Sequence, residues 1–232
     1  MTPNQLNLVA LESVAAAIGE LRNELVLVGG CSVGLLISDE ASPPVRETLD
    51  VDLVAEVATI GEYYGLCDKL TACGFQASTE QDHICRWVRG EIKLDVMPSS
   101  AQVLGHSTNR WYPDATSTAT QVTLASGLVV RVITAPLFLA TKVEAFYDRG
   151  GGDYATSHDL EDIINVIDGR PELLDEVNAG LESVRNYLRE EFDELLADEA
   201  FVDAIPMHVR GDAASQARVP LIIERLRRLA GL

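Results

Sequence analysis

Asp50 and Asp52, two positions apart in RETLDVDLVAEV, are the side chains of this sequence with the clearest capacity for chemistry. Side chains alternate along a strand, so the two acids share one face while Leu49, Val51 and Leu53 share the other. Neighbouring carboxylates repel, and a divalent cation between them is the usual compensation. A third acid lies in EIKLDVM, where Ile92, Leu94 and Val96 alternate with Lys93, Asp95 and Met97. The same period of two lets Asp95 project on the face of the pair. Three carboxylates on two strands meet the needs of two-metal nucleotidyl transfer, in which cations activate an acceptor oxygen and offset charge on the phosphorus and leaving group. Solvated acids on a sheet edge are the rival reading, and the apolar flanks and an upstream glycine doublet weigh against it.

That doublet ends a strand in LVLVGGCSVG. Without Cβ atoms, Gly29 and Gly30 let a phosphate approach the backbone N–H groups, with Ser32 close by. Gly29, Gly30 and Gly34 do not follow the G-x-G-x-x-G order of dinucleotide sites, and no G-K-[ST] follows them. Of only three lysines, Lys142 lies seven residues before Arg149 in PLFLATKVEAFYDRG, which puts both on one helix face. They suit triphosphate oxygens, lysine as a point charge and arginine as a fork, or else a surface pairing with Glu144 or Asp148. Asp159 and Asp162 share a face of the helix opened by Ser157, and Asp159 can orient Lys142 or Arg149 or merely complement the helix dipole. His158 reads as a helix-start residue rather than a base. Lys93 reads as a counter-charge to Asp95.

These groups need a scaffold. Periodicity predicts an amphipathic helix over 3–22, a strand at 24–29, a short apolar helix at 32–37 and a loop at DEASPP. The acid-bearing strand covers 48–56, and a helix over 60–73 ends at Gly74. Strands follow at 75–78, 84–89 and 91–97, then a pair around Ser126-Gly127. Beyond a helix at 136–148 and the linker RGGGDYATS, the chain reads as helical to residue 232. The expectation is an α+β fold: a small mixed sheet with flanking helices over 1–134, then a helical C-terminal region over 135–232.

Composition narrows the function. The 232 residues carry a formal net charge of −18, which argues against a broad nucleic-acid binding surface. Arg218, Arg225, Arg227 and Arg228 concentrate near the C-terminus and read as a solvated helix face. No apolar run is long enough to span a bilayer and no signal peptide is evident, so a cytoplasmic protein without membrane partners is expected. Cys31, Cys67, Cys73 and Cys85 form no C-x-x-C pair and read as buried or incidental thiols.

Taken together, Gly29-Gly30 with Cys31-Ser32, Asp50-Val51-Asp52, Asp95, Lys142 with Arg149, and Ser157-His158-Asp159 through Asp162 resemble the DNA polymerase β-like nucleotidyltransferase superfamily. More narrowly, the chain looks like the AbiEii/AbiGii-type toxin nucleotidyltransferases, over about residues 25–170. The usual Gly-Ser pair of that family is here Gly-Gly-Cys-Ser, and the spacer from Ser32 to Asp50 is longer than its common form. The resemblance implies transfer of a nucleoside monophosphate from a nucleoside triphosphate to an acceptor hydroxyl. It implies two Mg2+ ions held by Asp50 and Asp52, completed by Asp95, which also assists deprotonation of the acceptor. Gly29, Gly30 and Ser32 would cradle the triphosphate, with Lys142, Arg149 and Asp159 as further nucleotide-binding residues. RNA or protein is the expected acceptor, in a toxin–antitoxin or phage-defence setting with a possible antitoxin partner. An aminoglycoside acceptor and a non-catalytic nucleotide-binding module are the alternatives.

Overall fold

The computed structural model describes residues 2–48, 50–79, 85–103, 109–149 and 152–232. Leu49 of the expected acid-bearing strand, residue 84 of a later one, and Gly150 and Gly151 of the linker lie outside the described residues. The chain divides into two compact units, Met1–Gly34 with Arg46–Thr134 and Leu35–Val45 with Ala135–Leu232.

The first unit is built on a mixed seven-stranded sheet. Its strands are β1 (Leu25–Val28), β2 (Val51–Ala55), β3 (Gln76–Ala77), β4 (Arg86–Arg89), β5 (Ile92–Pro98), β6 (Thr120–Thr123) and β7 (Val129–Val132), in the spatial order β3-β4-β5-β2-β1-β7-β6. β1 runs antiparallel to β2, and β2 runs parallel to β5. The central strands are buried on both faces except at polar positions: β1 is wholly buried, and in β2 only Asp52 reaches partial exposure. Such strands read as continuous apolar runs, and the acids stand out against them.

Among the described residues, α1 (Pro3–Ile18), α3 (Ile60–Ala72) and α4 (Tyr112–Thr118) belong to this unit, while the short α2 (Val33–Leu36) is divided between the two units after Gly34. Capping boxes begin the two longer ones: Thr2 with Gln5 at α1 and Thr59 with Glu62 at α3. The helix expected over 3–22 stops at Ile18, because Gly19 takes a conformation foreign to helices, and the chain tightens into a 3-10 turn over Gly19–Asn23. α4 was not expected. Its sequence, YPDATST, carries no amphipathic stripe, and Pro113 in its first turn is what starts it.

The second unit is helical: α5 (Ala135–Arg149), α6 (His158–Gly169), α7 (Leu173–Ala179), α8 (Glu182–Ala197), α9 (Glu199–Ala204), α10 (Ala213–Gln216) and α11 (Val219–Ala230). Phe138, Leu139, Val143 and Phe146 of α5, Ile163, Val166 and Ile167 of α6, Leu188 and Phe192 of α8, and Ile222 and Leu226 of α11 are all buried. Segment Leu35–Val45 belongs here too. Its Ser38 and Asp39 amides donate to the Gly169 carbonyl at 2.9 Å each, and Arg170 donates to the Leu36 carbonyl at 2.6 Å. Helix carbonyls lack partners in the last turn, and this segment supplies them.

The arginines near the C-terminus correct one expectation. Arg218 forms ion pairs with Asp168 at 2.8 Å and Asp39 at 2.7 Å, and Arg225 donates to the Ile167 and Asp168 carbonyls. Both are fastened to the C-terminal end of α6 rather than solvated, because a buried carboxylate and bare carbonyls need a cation there. Arg227 and Arg228 are exposed. Among the described residues no helix is long and apolar enough to cross a membrane.

Candidate active site

The sheet register assembles a polar row across three strands, bordered by Val28 of a fourth. Val28 of β1 pairs with Asp52 of β2, Asp52 with Asp95 of β5, and Asp95 with Arg86 of β4. Residues directly opposite one another share a face, so Asp52, Asp95 and Arg86 stand side by side. Asp50 lies just ahead of β2, two residues from Asp52.

Arg86 was not singled out from sequence, yet it dominates the electrostatics. Its guanidinium grips Asp95 with two hydrogen bonds, Nε to Oδ1 at 2.8 Å and Nη2 to Oδ2 at 2.7 Å, and reaches Asp50 Oδ2 at 2.5 Å. The arginine side chain is 10% exposed, Asp95 18% and Asp50 31%. The cation on Asp95 is therefore Arg86 from the adjacent strand. Lys93, expected in that role, is exposed, because β5 offers its neighbour across the sheet a shorter path than a lysine two residues along one strand. Only the pairing of CRWVRG with EIKLDVM, not either segment alone, could have pointed to the arginine.

The glycine elbow closes directly on the acids. Gly29 adopts φ +66° and ψ −170°, a region essentially restricted to glycine. A Cβ at this position would fall 1.9 Å from Asp52 Oδ2. Residues Gly30–Ser32 then form one 3-10 turn. Ser32 is wholly buried, and its hydroxyl donates to the Gly29 carbonyl at 2.7 Å. Its proton thus braces the elbow, whose backbone is the part left to meet a ligand.

Asn7 of α1 is the second residue that sequence reasoning missed. It is buried, donates to the Arg46 carbonyl at 2.8 Å, and accepts from the Thr48 amide at 2.9 Å and the Thr48 hydroxyl at 3.2 Å. The Asn7 carbonyl also accepts from the Cys31 thiol at 3.4 Å. One asparagine therefore moors both the approach to Asp50 and the glycine elbow. A polar residue within the apolar stripe of a predicted helix was the available signal. Burial, reinforced by the charges of Asp52 and Asp50, pushes the Cys31 thiol up to about 12, so it stays protonated. Burial followed by Asp95 raises Cys85 to about 11.

Lys142, Arg149 and Asp159 belong to the helical unit and form a cluster of their own with Asp162. The Lys142 ammonium lies 2.9 Å from Asp159 and 2.7 Å from Asp162, and Arg149 forks onto Asp159 at 2.9 and 3.0 Å. Three of these side chains are at most 8% exposed, whereas Arg149 is 70% exposed. Burial alone would lower the Lys142 pKa, but Asp162 and Asp159 more than reverse it and raise it above its ordinary 10.5. Burial alone would raise Asp159, and Arg149 and Lys142 together carry it below 3.8. Neither Glu144 nor Asp148 is the carboxylate that holds Lys142. His158 is exposed, 3.4 Å from Glu161 at the start of α6.

The carboxylates supply hard oxygen donors, the set that Mg2+ prefers, and the Gly29 approach leaves a cradle beside Asp52. In chemical type Asp50, Asp52 and Asp95 suit such an ion. Among the described residues they do not converge into a preformed cage of three, because Arg86 already spans two of them.

No protein-family model matches the chain, and no curated protein does. Among solved structures it is similar to the antibiotic-resistance factor ANT(2'')-Ia. The solution structure of that factor is 18% identical at a TM-score of 0.46, covering 85% of this chain and 97% of the other. Its crystal structure with adenylyl-2''-tobramycin is 18% identical at 0.43, covering 76% and 91%. Likenesses this distant settle neither activity nor substrate, so the functional reading rests on the residues themselves.

Proposed function

We propose that the protein is a metal-dependent nucleotidyltransferase that moves a nucleoside monophosphate from a nucleoside triphosphate to an acceptor hydroxyl. The observation that carries this reading is the register of Asp52 beside Asp95, with Gly29 closed on the Asp52 carboxylate. Asp50, Asp52 and Asp95 would hold Mg2+, with two ions expected, and the metal would polarise the phosphates and offset charge at the reacting phosphorus. The backbone at Gly29 and Gly30 receives the triphosphate, shaped by the Ser32 brace. The acceptor oxygen bonds to the α-phosphorus as the bond to the β-phosphate breaks and pyrophosphate leaves. Asp95 assists by taking the acceptor proton. In the helical unit, exposed Arg149 is the better candidate for phosphate oxygens than Lys142, which Asp159 and Asp162 already neutralise.

The direct test incubates the protein with each labelled triphosphate, Mg2+ and a cell extract, and asks which molecule becomes labelled. Transfer by the native chain, reduced at least about 100-fold in Asp52→Asn with its melting temperature kept, is the expected result. Turnover by a folded Asp50→Ala, Asp52→Ala double variant would overturn the proposal. At the finer level, an RNA or protein acceptor in a toxin-like role predicts growth arrest on expression. The charge of −18 favours a second reading, an aminoglycoside acceptor, because a polycationic substrate is drawn to an acidic surface. That reading predicts antibiotic resistance without growth arrest.

A further inference from the structure

The metal-site reading leaves one residue unexplained: a buried arginine whose guanidinium lies on two of the three proposed ligands. Arg86 presents three N–H···O bonds to Asp50 and Asp95, the geometry of a cation that has taken a metal ion's place between carboxylates. We propose that Arg86 is an exchangeable counter-cation: it holds Asp50 and Asp95 together in the nucleotide-free protein and must be displaced before either can ligate a divalent ion.

Charge and register support this. Asp50 and Asp95 meet on a single guanidinium, and two carboxylates this close to one cation would repel each other if nothing offset them. Arg86 is placed opposite Asp95 by the β4–β5 pairing, so its backbone position is fixed by the sheet. Only the side chain has to move for the carboxylates to be released. The guanidinium is weakly hydrated and forked, properties that suit it to wait in a largely buried site. Binding of the divalent ion then costs the breaking of three charge-assisted bonds, which lowers apparent metal affinity. Metal charge and nucleotide phosphates both favour the swap, the first by repelling the guanidinium and the second by offering it new acceptors. The device keeps the site closed to stray cations until the nucleotide arrives with its own.

This inference rests on the nucleotidyltransferase reading only through the identity of the metal ligands, and Mn2+ binding tests the two separately. Free Mn2+ is titrated by electron paramagnetic resonance against the nucleotide-free full chain, alongside its melting temperature. Arg86→Gln should bind Mn2+ at least about tenfold more tightly than the native chain, because one repelling charge near the ion has been removed. It should melt lower than the native chain without metal and recover with Mn2+. Arg86→Lys, which keeps the charge but not the fork, should fall between the two, and it decides the matter if Arg86→Gln does not fold. Unchanged Mn2+ affinity in whichever folded Arg86 variant is measured would overturn the exchange. Native Mn2+ binding that persists in Asp50→Ala, Asp52→Ala would instead sink the metal-site reading itself.

Discussion

Gly29 shows how little room a side chain has in this site. Gly29→Ala would force an L-residue into a glycine-only backbone region and drive its methyl into Asp52. The backbone strain alone is worth about 1–3 kcal/mol. Melting curves should report that loss, and transfer should fall further than stability because Asp52 is pushed out of line. Glycines, acids and their alternation were legible in the sequence because each is a local pattern. Arg86 was not, since its meaning comes from a strand partner nine positions away and an aspartate thirty-six positions away. Ser32 was legible as a polar residue beside the doublet, while the direction of its hydroxyl depends on the turn that forms.

The hydrogen bonds of Asn7 join α1 to the segment that leads into β2, so Asn7→Ala leaves Arg46 and Thr48 groups unsatisfied and should cost about 1–3 kcal/mol. Between α5 and α6, Lys142→Ala would take the ammonium from the buried carboxylates of Asp159 and Asp162, leaving Asp159 its Arg149 fork, a loss of about 3–5 kcal/mol. Arg149→Ala should cost less than about 1 kcal/mol, because the guanidinium is largely in water. The pH dependence of this cluster has two limbs. Asp159 is depressed below 3.8, so its contribution is present above that value and lost as pH falls through the lower folded one. Lys142 is raised above 10.5, so its contribution is present below that value and lost as pH rises through the higher folded one. Denaturant titrations across pH should show a plateau between the limbs, and Lys142→Ala should lose the alkaline limb. The strands and longer helices were legible from periodicity, whereas α4, with no stripe, became visible only through packing.

At the scale of the whole molecule, charge is the dominant property. With −18 on 232 residues, binding of a polycationic acceptor should weaken steeply as salt rises from about 0.05 to 0.5 M, a trend that fluorescence anisotropy with a labelled aminoglycoside would read. A neutral acceptor should show little salt dependence. The sequence offered a boundary at 134 from the change in composition, and the shift from strands to helices there is abrupt. It offered no hint that Leu35–Val45 would fasten to the end of α6, because a Pro-rich loop signal says where regular structure stops and not what the loop grips.

That clasped loop bears on how such a protein can be rearranged. A gene fusion joined at residue 134 would inherit the glycine elbow and the acids with the stretch between them deprived of its receptor, Gly169 and Arg170. Trading tails among relatives is therefore constrained: any new helical end must bring a matching handhold for this detour, or the donated half loses the anchorage of the very spacer that separates its two signature motifs.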